Sequence, residues 1–472
     1  MKIEINGNVG RTYCENLSLI FFPGEKFGAS GGSDRTLRVS VYTECGSVRA
    51  EAVLISGDKT SRGTGFFPAG DGRAEKIAVG RAVLEAGTEM LGSAPPWGIL
   101  TGVRPAKISN SMAAAGMTES EISAKLQDIY SVAPEKALLL ACVTEEEKDV
   151  SLIAEKDTCS VYVSIPFCPT RCAYCSFVSY STPRYLSLIP DYVERLLVDI
   201  DAAFRRADSD GKRVISVYIG GGTPTVLEAK TLDRVLEAVE KNLVRRPLEF
   251  TVEAGRPDTV DRQKLEIMRS HGVTRVSINP QILDDGILRG IGRRHTVADF
   301  FNAYSLAKQA GFETVNTDLI AGLPGSDRNI FDDTLRGIIE LEPENVTVHT
   351  FCVKKSSFIA GKAAEDGTDG VYSYSGGDTP LCVSDSQKML GDAGYRPYYI
   401  YRQKNARGNL ENVGFSKPGH KCLYNVFIME ELHNIYACGA GAVTKITDTP
   451  DGRIIREFAP KYTYEYLDRK ND

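Results

Sequence analysis

Residues 161–180 read VYVSIPFCPTRCAYCSFVSY. An apolar run ending Ile165-Pro166-Phe167 delivers the chain to Cys168, and Cys172 and Cys175 follow with gaps of three residues and then two, Tyr174 standing beside the last. Three thiolates this close, on a loop just after a strand, can bind three irons of a 4Fe-4S cube, which leaves the fourth iron open to a small molecule. Zinc is the rival metal. A structural zinc site wants four ligands, commonly in paired Cys or Cys/His clusters; here no His is near, and Cys159 is the only other nearby thiol. A third reading is three buried cysteines acting as small hydrophobes.

The chain has 472 residues, room for about three ordinary domains or one large barrel with appendages. Hydrophobic residues make up 42% of it, enough for a substantial core. Lysine and arginine number 56 against 62 aspartates and glutamates. The net charge of −6 argues against a general nucleic-acid or anionic-membrane surface. No run of about 18 apolar residues occurs, so no membrane span is expected. The opening MKIEINGNVG lacks the charged-then-apolar pattern of a secretory signal. Eleven cysteines, three of them in a metal-type cluster, suit a reducing cytoplasm better than a disulfide framework. The others read as buried or inert thiols.

Residues 1–155 read as an N-terminal α+β domain. MKIEI, LSLIFF, LRVSVY and VRAEAVLI predict short strands. Residues 57–72 predict a loop. From Ala74 the recurrence of Ile77, Val79, Leu84, Met90 and Leu91 predicts a helix, ended by Pro95-Pro96-Trp97-Gly98. Pro105 suits the first turn of another helix, and TESEISAKLQDIY and PEKALLLACVTEEEKDVSLI predict two more. Trp97 and Arg104 read either as packing and capping residues or as the lining of a substrate entrance.

From Val161 the rhythm becomes strand, turn, helix. VYVSI at 161, VISVYIG at 214, EFTVEA at 249, RVSIN at 275, FETVNTDLIAG at 312 and NVTVHTF at 345 are candidate strands. Several are almost continuously apolar and β-branched, as strands buried on both faces should be. Val193, Leu196, Leu197, Ile200 and Phe204 make one helical stripe, and Leu232, Val235, Leu236, Val239 and Leu243 another. Gly272 and Gly311 sit where helix C-termini belong, and Thr296 with Asp299 resembles a capping box. Six such units predict a partial (β/α)6 parallel barrel over residues 156–355, with its site at the C-terminal strand ends. Two more units would complete a barrel, and the sequence past Phe351 does not supply them clearly. Residues 360–378 are rich in Gly, Ser and Asp and predict a loop. SDSQKMLGDAGY predicts a helix and RPYYIYRQ a strand, so residues 356–472 read as a C-terminal α+β domain covering the barrel mouth.

One unit after the Cys triplet comes Gly220-Gly221-Gly222-Thr223-Pro224-Thr225. A Gly triplet lets backbone approach a ligand and permits positive φ. Alone it is more often a tight turn. It is not a P-loop, since no Gly-Lys-Ser/Thr follows, and GxGxxG is absent. Glu253 and Asp318 end otherwise apolar strands at the catalytic face. Arg293 has Arg294 beside it, so a surface role competes with a site role. His295 and His349 read as acid–base groups or as structural histidines.

The cysteine spacing resembles the radical S-adenosyl-L-methionine (SAM) superfamily, in which the open iron takes the amino and carboxylate groups of SAM. VYVSIPFC, GGGTPT, VEAGRPD, VSINPQ, GRRHT and DLIAGLPG together resemble the family of oxygen-independent coproporphyrinogen III oxidase, also called coproporphyrinogen dehydrogenase. The resemblance is dense over residues 160–351 and looser in VGFSKPGHKCLYN and GAGAVTK, while WGILTGVRP resembles the HemZ subgroup. It implies a 4Fe-4S cluster on Cys168, Cys172 and Cys175, with SAM as the second cofactor. Tyr162 stands where the family has a site tyrosine. Gly221, Gly222 and Thr223 match residues on the methionine part of SAM, Glu253 its ammonium partner, and Arg293 its carboxylate partner. Gln281 and Asp318 match the ribose contacts, and Cys352 and Val443 residues around the adenine. The implied reaction is radical oxidative decarboxylation of coproporphyrinogen III to protoporphyrinogen IX, with a flavodoxin or ferredoxin as electron donor.

The chain departs from that pattern twice. Phe177 stands where the oxidases carry a fourth Cys, and the resulting CxxxCxxCxF form is similar to the related heme chaperones, called HemW. Those have a His-Asn pair in the C-terminal motif, the His being implicated in heme binding. The matching pair here is Tyr424-Asn425, with His420 close but offset. A radical SAM enzyme on another substrate, such as a methyltransferase, is the remaining alternative.

Overall fold

The structure is a computed structural model, and it describes residues 1–28, 34–175, 177, 179–352, 377–404 and 406–468. The predicted loop at 360–378 lies outside these residues except for its last two positions.

The N-terminal part is a four-stranded sheet, β1 (Lys2–Asn6), β2 (Arg35–Glu44), β3 (Ser47–Ser56) and β4 (Lys59–Pro68), in that order. Two expectations fail here. LSLIFF is not a strand but the end of the helix Arg11–Phe21. β1 and β2 pair in parallel, and a parallel pair needs a crossover, which this helix supplies. Its buried residues Cys14, Leu17 and Phe21 recur at helical spacing. Residues 57–72 are not a loop, for they contain β4. That strand lies against the helix Ala74–Leu91, so close that a Cβ on Gly63 would stand 2.1 Å from the Ala82 carbonyl, and one on Gly65 2.1 Å from the Ala78 carbonyl. The glycines that read as loop punctuation are there because a helix backbone occupies the side-chain space.

Three further helices, Ala106–Ala114, Glu119–Tyr130 and Pro134–Ile153, follow as expected, the second opened by a Thr118–Glu121 capping box. Trp97 is fully buried, its indole donating to Glu411 at 2.8 Å, and Arg104 pairs with Glu431 at 2.5 Å. Both join distant segments of the chain, as packing residues do.

The six predicted barrel strands all form: β5 (Thr158–Ile165), β6 (Arg213–Gly221), β7 (Glu249–Glu253), β8 (Arg275–Ser277), β9 (Thr314–Ala321) and β10 (Asn345–Thr350). Each is parallel to the next. The helices Ile189–Ser209, Ala229–Glu240, Arg262–Ser270, Val297–Gln309 and Arg328–Glu340 fill the connections. Gly272 and Gly311 end helices at positive φ, and Thr296 and Asp299 form their capping box.

After these come β11 (Arg396–Arg402), β12 (Glu411–Ser416), β13 (Asn434–Cys438), β14 (Val443–Ile446) and β15 (Ile455–Phe458). They extend the barrel sheet at both ends, in the order β11-β12-β10-β9-β8-β7-β6-β5-β13-β14-β15. β13 runs parallel to β5, so seven parallel strands stand side by side, and among the described strands the sheet is open.

The strands are not apolar on both faces. In β5, Cys159, Val161, Val163 and Ile165 are buried toward the outer helices, while Ser160, Tyr162 and Ser164 take the other face. β9 and β10 alternate alike, and a ladder of polar side chains crosses the inner face. Thr347 donates to Asn316 at 3.2 Å, and Asn316 to Ser277 at 3.2 Å. An inner face this polar lines a lumen rather than a packed core. The helix Leu423–Glu430 stops the lower end of that lumen. Its first amides, of Leu423 and Tyr424, donate to Glu249 at the start of β7, at 2.9 and 3.0 Å. The C-terminal segment thus reaches the floor, while its turn at 439–442 meets the mouth, where Ser164 donates to the Ala440 carbonyl at 2.9 Å.

Candidate active site at the strand ends

Two loops at the C-terminal ends of β5 and β6 are built on one another. The Gly222 amide donates to the Ile165 carbonyl and the Thr223 amide to that of Phe167, both at 2.8 Å. A Cβ on Gly222 would lie 2.3 Å from the Phe167 oxygen, and Gly221 has φ +109°. The Gly triplet therefore fits under the residue that precedes Cys168. The cysteine loop closes through Cys168 donating to the Tyr180 carbonyl at 3.0 Å. It docks on residues 291–292, the Ala173 amide donating to the Ile291 carbonyl at 2.9 Å and the Thr170 hydroxyl to that of Gly292 at 2.8 Å.

Charged groups surround these loops. Arg293 is buried, its guanidinium donating to the Asn279 carbonyl at 2.7 Å and the Gly255 carbonyl at 3.2 Å. Burial works against its charge, but Tyr174 and Cys172 beside it raise its pKa above the usual value. Its Nε is buried without a partner. Glu253, ending β7, accepts from the Tyr218 hydroxyl at 2.5 Å. Burial pushes its carboxyl up to about 7, and the nearby Asp318 adds to that, against hydrogen bonds from Tyr218 and the Gly221 amide. Asp318 accepts from Asn279 and Asn316, each at 2.8 Å, and its Oδ2 lies 3.8 Å from His349. Burial would raise it, but His349, Asn316 and Thr347 hold it below the usual range. His349 in turn hydrogen-bonds Tyr401 at 3.1 Å. Gln281 donates its amide to the Asp318 carbonyl at 3.0 Å from a backbone at φ +68°, a conformation that non-glycine residues seldom adopt.

Tyr162 points into the lumen and stacks with Tyr218 and Tyr424, ring centroids 6.1 and 6.0 Å away; Tyr218 and Tyr424 are 4.5 Å apart. His420, from the same motif, is tied to Thr314 at 2.9 Å, near the start of β9 and away from the mouth. Cys352 follows β10 and Val443 opens β14, on opposite sides of the six-strand arc. Adenine contacts from both need the two sides of the arc to face one another. His295 is buried with neither ring nitrogen hydrogen-bonded.

Sequence reasoning passed over Arg256, Asn279 and Tyr218. Arg256 and Asn279 lie inside the quoted motifs VEAGRPD and VSINPQ, and Tyr218 just before GGGTPT. What they do depends on partners far away in the chain.

None of the eleven cysteines is in a disulfide. Burial and the adjacent Cys172 and Cys175 push the Cys168 thiol up to about 12, Arg256 pulling against them. A thiolate there needs a cationic partner such as iron. Among the described residues no three His, Cys, Asp or Glu converge on one point as a single ion requires. A cube asks for one thiolate on each of three irons, which the loop can offer.

Residues 162–338 match the model of the radical SAM superfamily. The oxygen-independent coproporphyrinogen-III oxidase-like protein HemZ of Bacillus subtilis is 36% identical over 378 residues, 79% of this chain and 74% of that relative. The chain belongs to the HemZ family of radical SAM proteins. Its cofactors are accordingly a 4Fe-4S cluster and SAM. The heme chaperone HemW of Haemophilus influenzae is 30% identical over 316 residues, 65% of this chain and 75% of that one. Among solved structures, the coproporphyrinogen III oxidase HemN from Escherichia coli shares the fold, with a TM-score of 0.52 and 21% identity over 67% of this chain and 70% of that one. Among the described residues no helix is long and apolar enough to cross a membrane.

Proposed function

We propose that this chain oxidatively decarboxylates a porphyrinogen, converting coproporphyrinogen III to protoporphyrinogen IX. One observation carries the reading: the cysteine loop, the Gly turn, Glu253, Arg293 and Asp318 gather at the mouth of a polar lumen. Cys168, Cys172 and Cys175 would hold the cluster. Gly221, Gly222 and Thr223 would lie along the methionine part of SAM, Glu253 would accept from its ammonium, and Arg293 would pair with its carboxylate, for which a planar guanidinium is well shaped. Gln281 and Asp318 would take the ribose, Cys352 and Val443 the adenine, and Tyr162 would wall the site from below. When bound, these cofactors would supply a carbon radical able to take hydrogen from each of two propionates, each of which would then lose carbon dioxide and pass one electron to an external one-electron acceptor to become a vinyl group. The protein's part is to orient the groups and to keep water and stray hydrogen donors out. A small flavodoxin- or ferredoxin-type protein would deliver the electron that reduces the cluster before SAM is cleaved.

The heme chaperone reading draws on the HemW likeness and on Phe177 in place of a fourth cysteine. Tyr424 weighs against it, because the residue at the chaperone histidine's position is buried in the tyrosine stack. The test is anaerobic turnover of reduced, cluster-loaded protein with SAM and coproporphyrinogen III. Protoporphyrinogen IX and deoxyadenosine are expected. Deoxyadenosine with the porphyrinogen intact would point to another substrate, and tight stoichiometric heme binding without turnover to the chaperone.

A further inference from the structure

We propose that Arg256 is a positioning residue for the iron–sulfur cluster, holding the Cys172 sulfur and raising the reduction potential of the cluster. The inference rests on the cluster assignment to Cys168, Cys172 and Cys175. Arg256 follows β7 by three residues and is 3% exposed. Its guanidinium is shared between the cysteine loop and Asp258. Nη1 donates to the Thr170 carbonyl at 3.0 Å, Nη2 to the Thr170 hydroxyl at 2.8 Å, and Nη1 also lies 3.9 Å from the Cys172 sulfur. On its other side Nε and Nη2 reach Asp258 at 3.2 and 3.3 Å. The Arg256 carbonyl accepts from the Thr259 hydroxyl at 2.7 Å, and that hydroxyl meets Thr225 of the GGGTPT turn at 2.6 Å. One side chain thus ties the cysteine loop to the end of β7, and its backbone ties both to the Gly turn.

The electrostatics follow from this placement. A cube on three thiolates is anionic, and reduction adds a further negative charge in a buried place. A fixed cation with an N–H directed at one ligand sulfur favours the reduced state more than the oxidised one. Arg293, also near Cys172, is the residue proposed for the SAM carboxylate. Arg256 has no such duty in view, since its donors already face Thr170, Cys172 and Asp258. Asp258 opposes it, keeping part of its charge from the cluster.

The test is an EPR-monitored redox titration of anaerobically reconstituted full-length protein without SAM, after counting iron and sulfide. Arg256→Gln should move the midpoint potential negative, Arg256→Lys should restore part of the shift, and Asp258→Asn should move it positive. Loaded Arg256→Gln and Asp258→Asn proteins that both titrate like the wild type would overturn the proposal. If Arg256→Gln does not assemble a cluster, the positive shift in Asp258→Asn decides, and its absence overturns the proposal. A wild-type protein without iron and sulfide would sink the cluster assignment, and this inference with it. A loaded wild type with unmoved variants would sink this inference alone.

Discussion

In its proposed role beside the SAM ammonium, Glu253 is an anion where burial disfavours one. Burial pushes its carboxyl up to about 7, so it gains charge as pH rises through neutrality. An ammonium ligand needs that charge. SAM affinity of the cluster-loaded protein should therefore rise between pH 6 and 7.5, by up to roughly tenfold per pH unit on the acid side. Glu253→Gln should bind weakly and show no such slope, as equilibrium dialysis would read. A wild-type profile as flat as that of the variant would place the ammonium elsewhere. Asp318 differs, because against its burial His349, Asn316 and Thr347 hold its carboxyl below the usual range. Asp318→Ala should cost about 1–3 kcal/mol of SAM binding while leaving iron and sulfide content unchanged. Glu253 was legible as the polar end of an apolar strand, whereas Asp318, expected to end its strand as well, lies three residues before the end of β9 on the polar inner face. Arg256 and Asn279 were not legible, because nothing local distinguishes a clamp from a surface arginine or asparagine.

At the level of elements, the strands of the barrel were legible and their inner face was not. TCSVYVSI and NVTVHT look apolar and β-branched as runs, but apart from Thr350 at the end of β10 their polar residues fall on alternate positions and so on one face. Serine and threonine hide this alternation, since they are also good strand residues. β4 was lost for the opposite reason. KTSRGTGFFP carries two glycines that signal a loop to any local reading, and only the helix Ala74–Leu91 lying across them explains their place. Gly65→Val should lower the stability of the N-terminal sheet by about 1–3 kcal/mol, since the added carbons meet helix backbone that cannot yield cheaply. Calorimetry would show it as a lower unfolding temperature, with the cluster still assembling. An unshifted transition would mean that the helix and β4 stand further apart than this.

Across the whole molecule, the N-terminal helices are fastened to the C-terminal strands and helix by buried polar joints. Lys136 donates to Glu411 at 2.6 Å, and Trp97 and Gln387 donate to the same carboxylate at 2.8 and 2.7 Å. A second joint is Asn110, whose amide donates to Glu147 at 2.8 Å and to Glu430 at 2.9 Å. No sequence pattern could reveal it, for Asn110 and Glu430 stand 320 residues apart. Two carboxyls share one donor there, and one oxygen of each is buried without a partner. Burial, then the adjacent Glu430, lifts Glu147 well above its usual 4.5, against Asn110 and Lys421. Burial lifts Glu430 too, and Glu431 adds to it, against Asn110, Lys107 and Arg104. Folded pKa values above the unfolded ones mean that the folded protein binds more protons in the interval between them. The stability this pair contributes is fully present below about pH 4.5 and is lost as pH rises toward the raised folded values. Glu147→Gln keeps the shape and removes the proton requirement. Its stability should match the wild type near pH 4.5 and exceed it increasingly toward pH 8, by on the order of 1–3 kcal/mol. Urea unfolding of both proteins across that range gives the difference directly, and groups elsewhere cancel in it. A difference that does not change with pH would mean that the two carboxyls do not share a proton, and that Asn110 alone makes the joint.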